Sequence, residues 1–111
     1  MKLEKELVAA SSAPLILSIL SEGDSYGYAI IQRVRELSGG EIEWTDGMIY
    51  PVLHWLEDEG WARSHWTTSE AGRKRKYYSI QPKGRDALRD QRAQWAVVTN
   101  ALNQLWRPQH A

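Results

Sequence analysis

Apolar residues recur at helical spacing through the first half of the chain, alternate with polar ones in the middle, and return to helical spacing towards the C-terminus. From about residue 4 to 20, Leu7, Ala10, Leu15, Ile16, Ile19 and Leu20 share one helical face. Pro14 is expected to restart that helix, because proline fits a first turn but not an interior. After a turn at SEGD, Ser25 is the expected N-cap of a second helix reaching about Leu37, with Tyr26, Ala29, Ile30, Val34 and Leu37 in register and Gly39-Gly40 as its stop. The segment EIEW reads as a short extended stretch or a connector. Thr45 or Asp46 then caps a third helix ending at Gly60, with Ile49, Val52, Leu53 and Leu56 as its buried stripe. Pro51 falls at its fifth or sixth position, which predicts an irregular first turn.

At Trp61 the period changes to two. WARSHWTT and RKYYSI read as strands joined by SEAGRK, a hairpin whose tip holds Gly72 and a run of cations. A long helix begins after Gln81-Pro82 and runs to about Trp106, with Pro108 closing it. This order makes the fold class mainly α with a small β-hairpin (α+β), a winged helix-turn-helix. The second helix braces, the third reads DNA and the hairpin is the wing. Residues 1–81 would form the DNA-binding part and residues 82–111 a C-terminal dimerisation helix, together one structural unit.

Composition agrees with a single domain. A chain of 111 residues buries roughly 65% of its unfolded surface, enough for one core. The formal net charge is zero, but the charge is segregated. Glu36, Glu41, Glu43, Asp46, Glu57, Asp58 and Glu59 succeed one another without an intervening Lys or Arg. From residue 73 to 92, Arg73, Lys74, Arg75, Lys76, Lys83, Arg85, Arg89 and Arg92 stand against only Asp86 and Asp90. Such asymmetry speaks about partners more than the overall balance does. There is no cysteine, hence no disulfide, thiol nucleophile or cysteine-held metal. No apolar run approaches a membrane span or a secretion signal core, so the chain reads as cytoplasmic with no membrane partner. The six tryptophans are expected to fill core and interface, or to line a ligand slot.

The cationic run suits a wing that approaches DNA, where Arg73, Lys74, Arg75 and Lys76 would reach phosphates or the minor groove. The acids of the third helix gather at its C-terminal end, whereas bases are contacted mainly from the N-terminal end. There stand Thr45, Gly47, Met48, Tyr50 and Pro51, with His54 one turn on, and apart from Asp46 this end is neutral. Glu57, Asp58 and Glu59 read as a solvated face, since consecutive helical positions diverge around the axis. An enzyme is disfavoured. His54, His65 and His110 have no metal-ligand spacing, and no nucleophile–base order or phosphate loop is visible, so neither metal nor cofactor is expected.

In the last helix Trp95, Val98, Leu102 and Leu105 are spaced 3, 4 and 3, a seam that wants a partner, and Leu88 continues it towards the N-terminus. A helix of roughly 25 residues is about 37 Å long, more than so small a core can cover. A homodimer follows as the expectation. Its two-fold axis would set two recognition helices about one DNA turn apart on a pseudo-palindromic operator.

Three stretches, SYGYAIIQRV, TDGMIYPVLHWLEDEGW, and GRKRKYYSI with the following Pro-Lys-Gly turn, together resemble the PadR family of transcriptional regulators over nearly the whole chain, in its short single-domain form. The resemblance implies a homodimeric, sequence-specific repressor that releases double-stranded DNA when a small aromatic or drug-like effector binds. It carries DNA contact onto Tyr26, Thr45, Gly47, Tyr50, Arg73 and Lys74. Met48 stands where many relatives have threonine or a hydrophobic residue. In drug-binding members a tryptophan placed like Trp95 stacks flat ligands at the dimer centre, with Leu7, Ala10 and Val98 as candidate walls. The competing reading is a winged-helix protein-contact module without DNA, supported by Trp44, Trp61 and Trp66 in an acidic setting.

Overall fold

A computed structural model describes residues 1–107; Pro108 and His110 lie outside the described residues. The elements are α1 (Lys5–Glu22), β1 (Ser25–Tyr26), α2 (Gly27–Leu37), α3 (Asp46–Asp58), β2 (Ala62–Thr68), β3 (Lys74–Ile80) and α4 (Pro82–Trp106). Their arrangement is a winged helix-turn-helix with a long C-terminal helix, as the residue pattern predicts.

Four local expectations need correction. First, α1 runs through Pro14 without a restart. Proline removes the bond to the Ala10 carbonyl, but Ala10 is exposed, so water can take that acceptor. One turn earlier the Ser11 hydroxyl donates to the Leu7 carbonyl at 2.9 Å and the Ser12 hydroxyl to the Val8 carbonyl at 2.8 Å. Second, α3 is helical from Asp46 through Pro51, whose missing donor would have served the exposed Gly47. Both the Met48 and Ile49 amides donate to the Thr45 carbonyl at 3.0 Å.

Third, Ser25 does not cap α2. Ser25 and Tyr26 form β1, pairing antiparallel with Tyr78 and Tyr77, and Tyr26 becomes the N-cap residue. The wing is therefore part of a three-stranded sheet of order β1-β3-β2, not an isolated hairpin. Fourth, Lys74, expected on the tip, lies within β3 together with Arg75 and Lys76, the three opposite Thr68, Thr67 and Trp66. Only Gly72, in the left-handed region at φ 79°, and Arg73 belong to the turn. The Ser69 amide and the Arg73 carbonyl close it at 2.8 Å.

One core joins all the layers. Ile16, Leu17 and Leu20 of α1 meet Ile30 and Val34 of α2, Ile49, Leu53 and Leu56 of α3, Ala62 and Tyr78 of the sheet, and Leu88 of α4. Leu37, expected in the buried stripe of α2, is 56% exposed at the helix end. The start of α4 is tied to the strand entry. The Gln81 amide donates to the Trp61 carbonyl at 2.9 Å, and a Cβ on Gly84 would run into that same carbonyl group.

Beyond Leu88 most of the last helix is exposed, with Gln91, Trp95 and Leu102 half-buried. The molecule extends 62 × 30 × 22 Å with a radius of gyration of 16.1 Å, against about 13 Å for a compact chain of this length. Val98 and Leu105 are 53% and 80% exposed there. No helix among the described residues is long and apolar enough to cross a membrane.

Candidate nucleic-acid interface

The N-terminal end of α3 is bare. Thr45, Gly47 and Met48 are exposed, as is Asp46, and the Thr45 side chain makes no capping bond. A Cβ on Gly47 would meet only the Thr45 hydroxyl oxygen, at 3.8 Å. Among the described residues nothing demands glycine there.

Tyr50, one turn on, is half-buried and leans across the start of α2: a Cβ on Gly27 would lie 2.7 Å from its hydroxyl oxygen. Two sequence motifs, Tyr26-Gly27-Tyr28 and Gly47-Met48-Ile49-Tyr50-Pro51, thus meet at one contact. The ring of exposed His54 lies 6.4 Å from that of Tyr50. On the other side of Gly27, Tyr26 packs edge-on against Tyr77 at 5.1 Å, and the Arg75 guanidinium lies 4.6 Å above the Tyr26 ring. An unbroken line of contacts therefore runs from His54 and Tyr50 through Gly27 and Tyr26 to Arg75. Sequence reasoning missed two members of this face. His65 stacks near Tyr77 at 6.0 Å, with its Nε2 3.8 Å from Asp24 Oδ2. The signal was strand alternation, because His65 and Tyr26 both pair with Tyr77.

The same alternation divides the wing cations. Arg73 and Lys74 are exposed, and Arg75 lies over Tyr26 on the face away from the core. Lys76 turns inward with Tyr78. Its Nζ is 3.8 Å from Glu57 Oε1 and 5.7 Å from the Tyr78 ring centre. The other Glu57 oxygen accepts a hydrogen bond from the Ser64 hydroxyl at 2.7 Å. Two expectations change as a result: Glu57 is not part of a solvated face, and Lys76 is engaged within the chain. Tyr78, fully buried, has no hydrogen-bond partner for its hydroxyl among the described residues. Burial, and then the nearby Glu57 and Tyr50, push its phenol up to about 12.

Along α4, Trp95 and Leu102 are half-buried, while Val98 and Leu105 are exposed. Leu88, at 7% exposure, is spent on the chain's own core and has little surface left for a seam with a partner. Leu7 and Ala10 are exposed on α1. A groove of about 1390 Å³ between the N-terminal segment and the α2–α3 connection is lined by Val8, Trp44, Met48 and Val52 among others. A smaller cleft of about 350 Å³ between α1 and α3 is lined by Ala9, Ala13, Pro51 and Trp55 among others. Neither is lined by Trp95 or Val98. Among the described residues no group of three or more His, Asp or Glu side chains is disposed to hold a metal ion.

Comparison with known proteins points the same way. The profile of the transcriptional regulator PadR-like family matches residues 16–90. A crystal structure of a PadR-like transcriptional regulator from Bacillus cereus superposes with a TM-score of 0.82 at 27% identity, covering 95% of this chain and 100% of that one. A PadR family regulator from Clostridium difficile gives a TM-score of 0.76 at 31% identity, over 86% of this chain and 98% of that one. Transcriptional regulator YqjI from Escherichia coli is 32% identical over 88 residues, 79% of this chain but 41% of YqjI.

Proposed function

Because this chain belongs to the PadR-like family of transcriptional regulators, in its short single-domain form, we propose that it acts as a homodimeric repressor on a pseudo-palindromic operator. Regulators of this family bind DNA, and the family is non-enzymatic. In this reading the N-terminal end of α3 enters the major groove, with Thr45, Gly47 and Met48 against base edges and Tyr50 and His54 beside them. Tyr26, Arg73, Lys74 and Arg75 hold the phosphate backbone on either side.

The observation that carries this reading is the line of contacts from His54 and Tyr50 through Gly27 and Tyr26 to Arg75, which ties the bare end of α3 to the cationic wing in one surface. Dimerisation rests on the second half of α4. Covering Val98, Leu102 and Leu105 along it would contribute about 1.5–3 kcal/mol for each side chain fully removed from water. A two-fold partner would bring the two Trp95 indoles together, a stacking site suited to a flat aromatic effector that weakens DNA binding.

DNase footprinting on the chain's own upstream DNA, with sedimentation of the free protein, tests this reading. It predicts a dimer that protects two half-sites about one helical turn apart. A monomer, or no protected half-site, contradicts it. Trp95→Ala should abolish tryptophan quenching and DNA release by a planar aromatic probe while the footprint survives.

A further inference from the structure

The acidic end of α3 and the inward-turned cation of the wing meet at one carboxylate. Glu57 sits in the last turn of α3 and divides its two oxygens between the two strands of the wing. Ser64 of β2 donates to Oε2 at 2.7 Å, and Lys76 of β3 lies 3.8 Å from Oε1. Ser64 pairs with Tyr78, and Lys76 with Trp66, so the two partners of Glu57 are diagonal neighbours on one face of the β2–β3 ladder. A single side chain thereby holds both strands to the helix. The Lys76 and Glu57 side chains are 30% and 28% exposed, more shielded than an ordinary surface pair. A cation at this place also suits the negative end of the α3 dipole, beside Asp58 and Glu59.

We propose that Glu57 and Lys76 are positioning residues for DNA binding: their ion pair, with the Ser64 hydrogen bond, fixes the wing against α3, and Lys76 does not itself contact a phosphate. The inference rests on the DNA-binding reading above and deepens it, since it assigns separate duties to cations that the sequence presents as one run. Exposed Arg73 and Lys74, with Arg75 on the outer face, are left for the ligand, whereas Lys76 is engaged with Glu57. With wing and helix held at one angle, the bare end of α3 and the free cations reach a duplex together, and no ordering of the hairpin is left to the moment of binding.

The test is fluorescence anisotropy on the chain's own upstream DNA across a salt series, with Lys76→Gln, Glu57→Gln, the double variant, and the charge swap Glu57→Lys/Lys76→Glu. A positioning pair predicts that both single variants weaken binding about two- to five-fold, as expected for a partly shielded ion pair. The slope of affinity against salt stays that of the parent. The double variant is no weaker than either single one, and the swap recovers most of the parent affinity. Two results overturn the proposal while leaving the DNA reading intact. One is a slope that falls by about 0.9 in Lys76→Gln alone, the signature of one lost phosphate contact. The other is a Glu57→Gln variant that binds as well as or better than the parent. A parent protein that binds no DNA even at low salt overturns the DNA reading itself, and this inference with it.

Discussion

The two ends of α3 are built for opposite purposes. At its start, Thr45, Gly47 and Met48 are exposed and no side chain of the fold needs Gly47 to be small. At its end, Glu57 is held by Ser64 and Lys76 and lies close enough to buried Tyr78 to help raise its phenol. One helix therefore presents surface at one end and spends its charge on the fold at the other. Of the helix's acids, exposed Asp46 lies at the start and Glu57 and Asp58 at the far end, where Lys76 of the wing partly neutralises Glu57.

Glycine substitutions break this comparison most severely. Gly84→Ala forces a Cβ into the Trp61 carbonyl group, a backbone atom that cannot swing aside. It should destabilise the fold by about 3 kcal/mol and lower Tm on the order of 10 °C in thermal unfolding, loosening both ends of α3 together. Gly27→Ala meets only the end of the Tyr50 side chain. Its cost should be about 1–2 kcal/mol, with a loss of DNA affinity out of proportion because the displaced phenol belongs to the bare end. Gly47→Ala sharpens the contrast. The position is helical and open, so stability should rise by about 0.5 kcal/mol while anisotropy shows weaker DNA binding. A variant that binds normally would remove Gly47 from the interface.

Charge substitutions come next. Replacing Arg73 and Lys74 together by glutamine should lower the salt slope by about 1.8, the release of counterions from two phosphates, with no change in Tm. The smallest effect is expected at Tyr78. Its buried hydroxyl has no partner to lose, so Tyr78→Phe should change stability at neutral pH by less than about 1 kcal/mol. The difference should show in alkali. A phenol raised from 10.0 to about 12 keeps its proton longer in the folded chain than in the unfolded one. The parent therefore loses stability as pH rises from 10 towards 12, and the phenylalanine variant should lose less over that window in urea titrations.

Much of this fold is legible in local pattern. The helical stripe of Ile49, Leu53 and Leu56, the change of period at Trp61 and the proline start of α4 all appear in the structure where the residues place them. The misses share one physical origin: they depend on pairing between distant segments. Ser25 reads locally as a helix cap, and only the approach of Tyr78 makes it a strand residue. Lys76 reads as one of four equal cations, and only the β2–β3 register and the end of α3 turn it inward. Pro14 reads as a restart and Pro51 as the mark of an irregular first turn, yet both helices run through them, with the residues whose acceptors they orphan exposed. Within the candidate interface, the residues of α3 and the wing were accessible to pattern and resemblance. His65 and Tyr77, in the wing strands, needed the strand register as well, since they join the surface through their strand partners.

The most direct test of the central claim, that the bare end of α3 and the free wing cations form one DNA-reading surface, is fluorescence anisotropy of the protein on its own upstream DNA and on a scrambled duplex over a salt series. The account predicts tight binding to the first, with a steep salt slope and a clear preference over the scrambled sequence. Equal weak binding to both, or no binding at low salt, would contradict it and bring forward a winged helix used for protein contact.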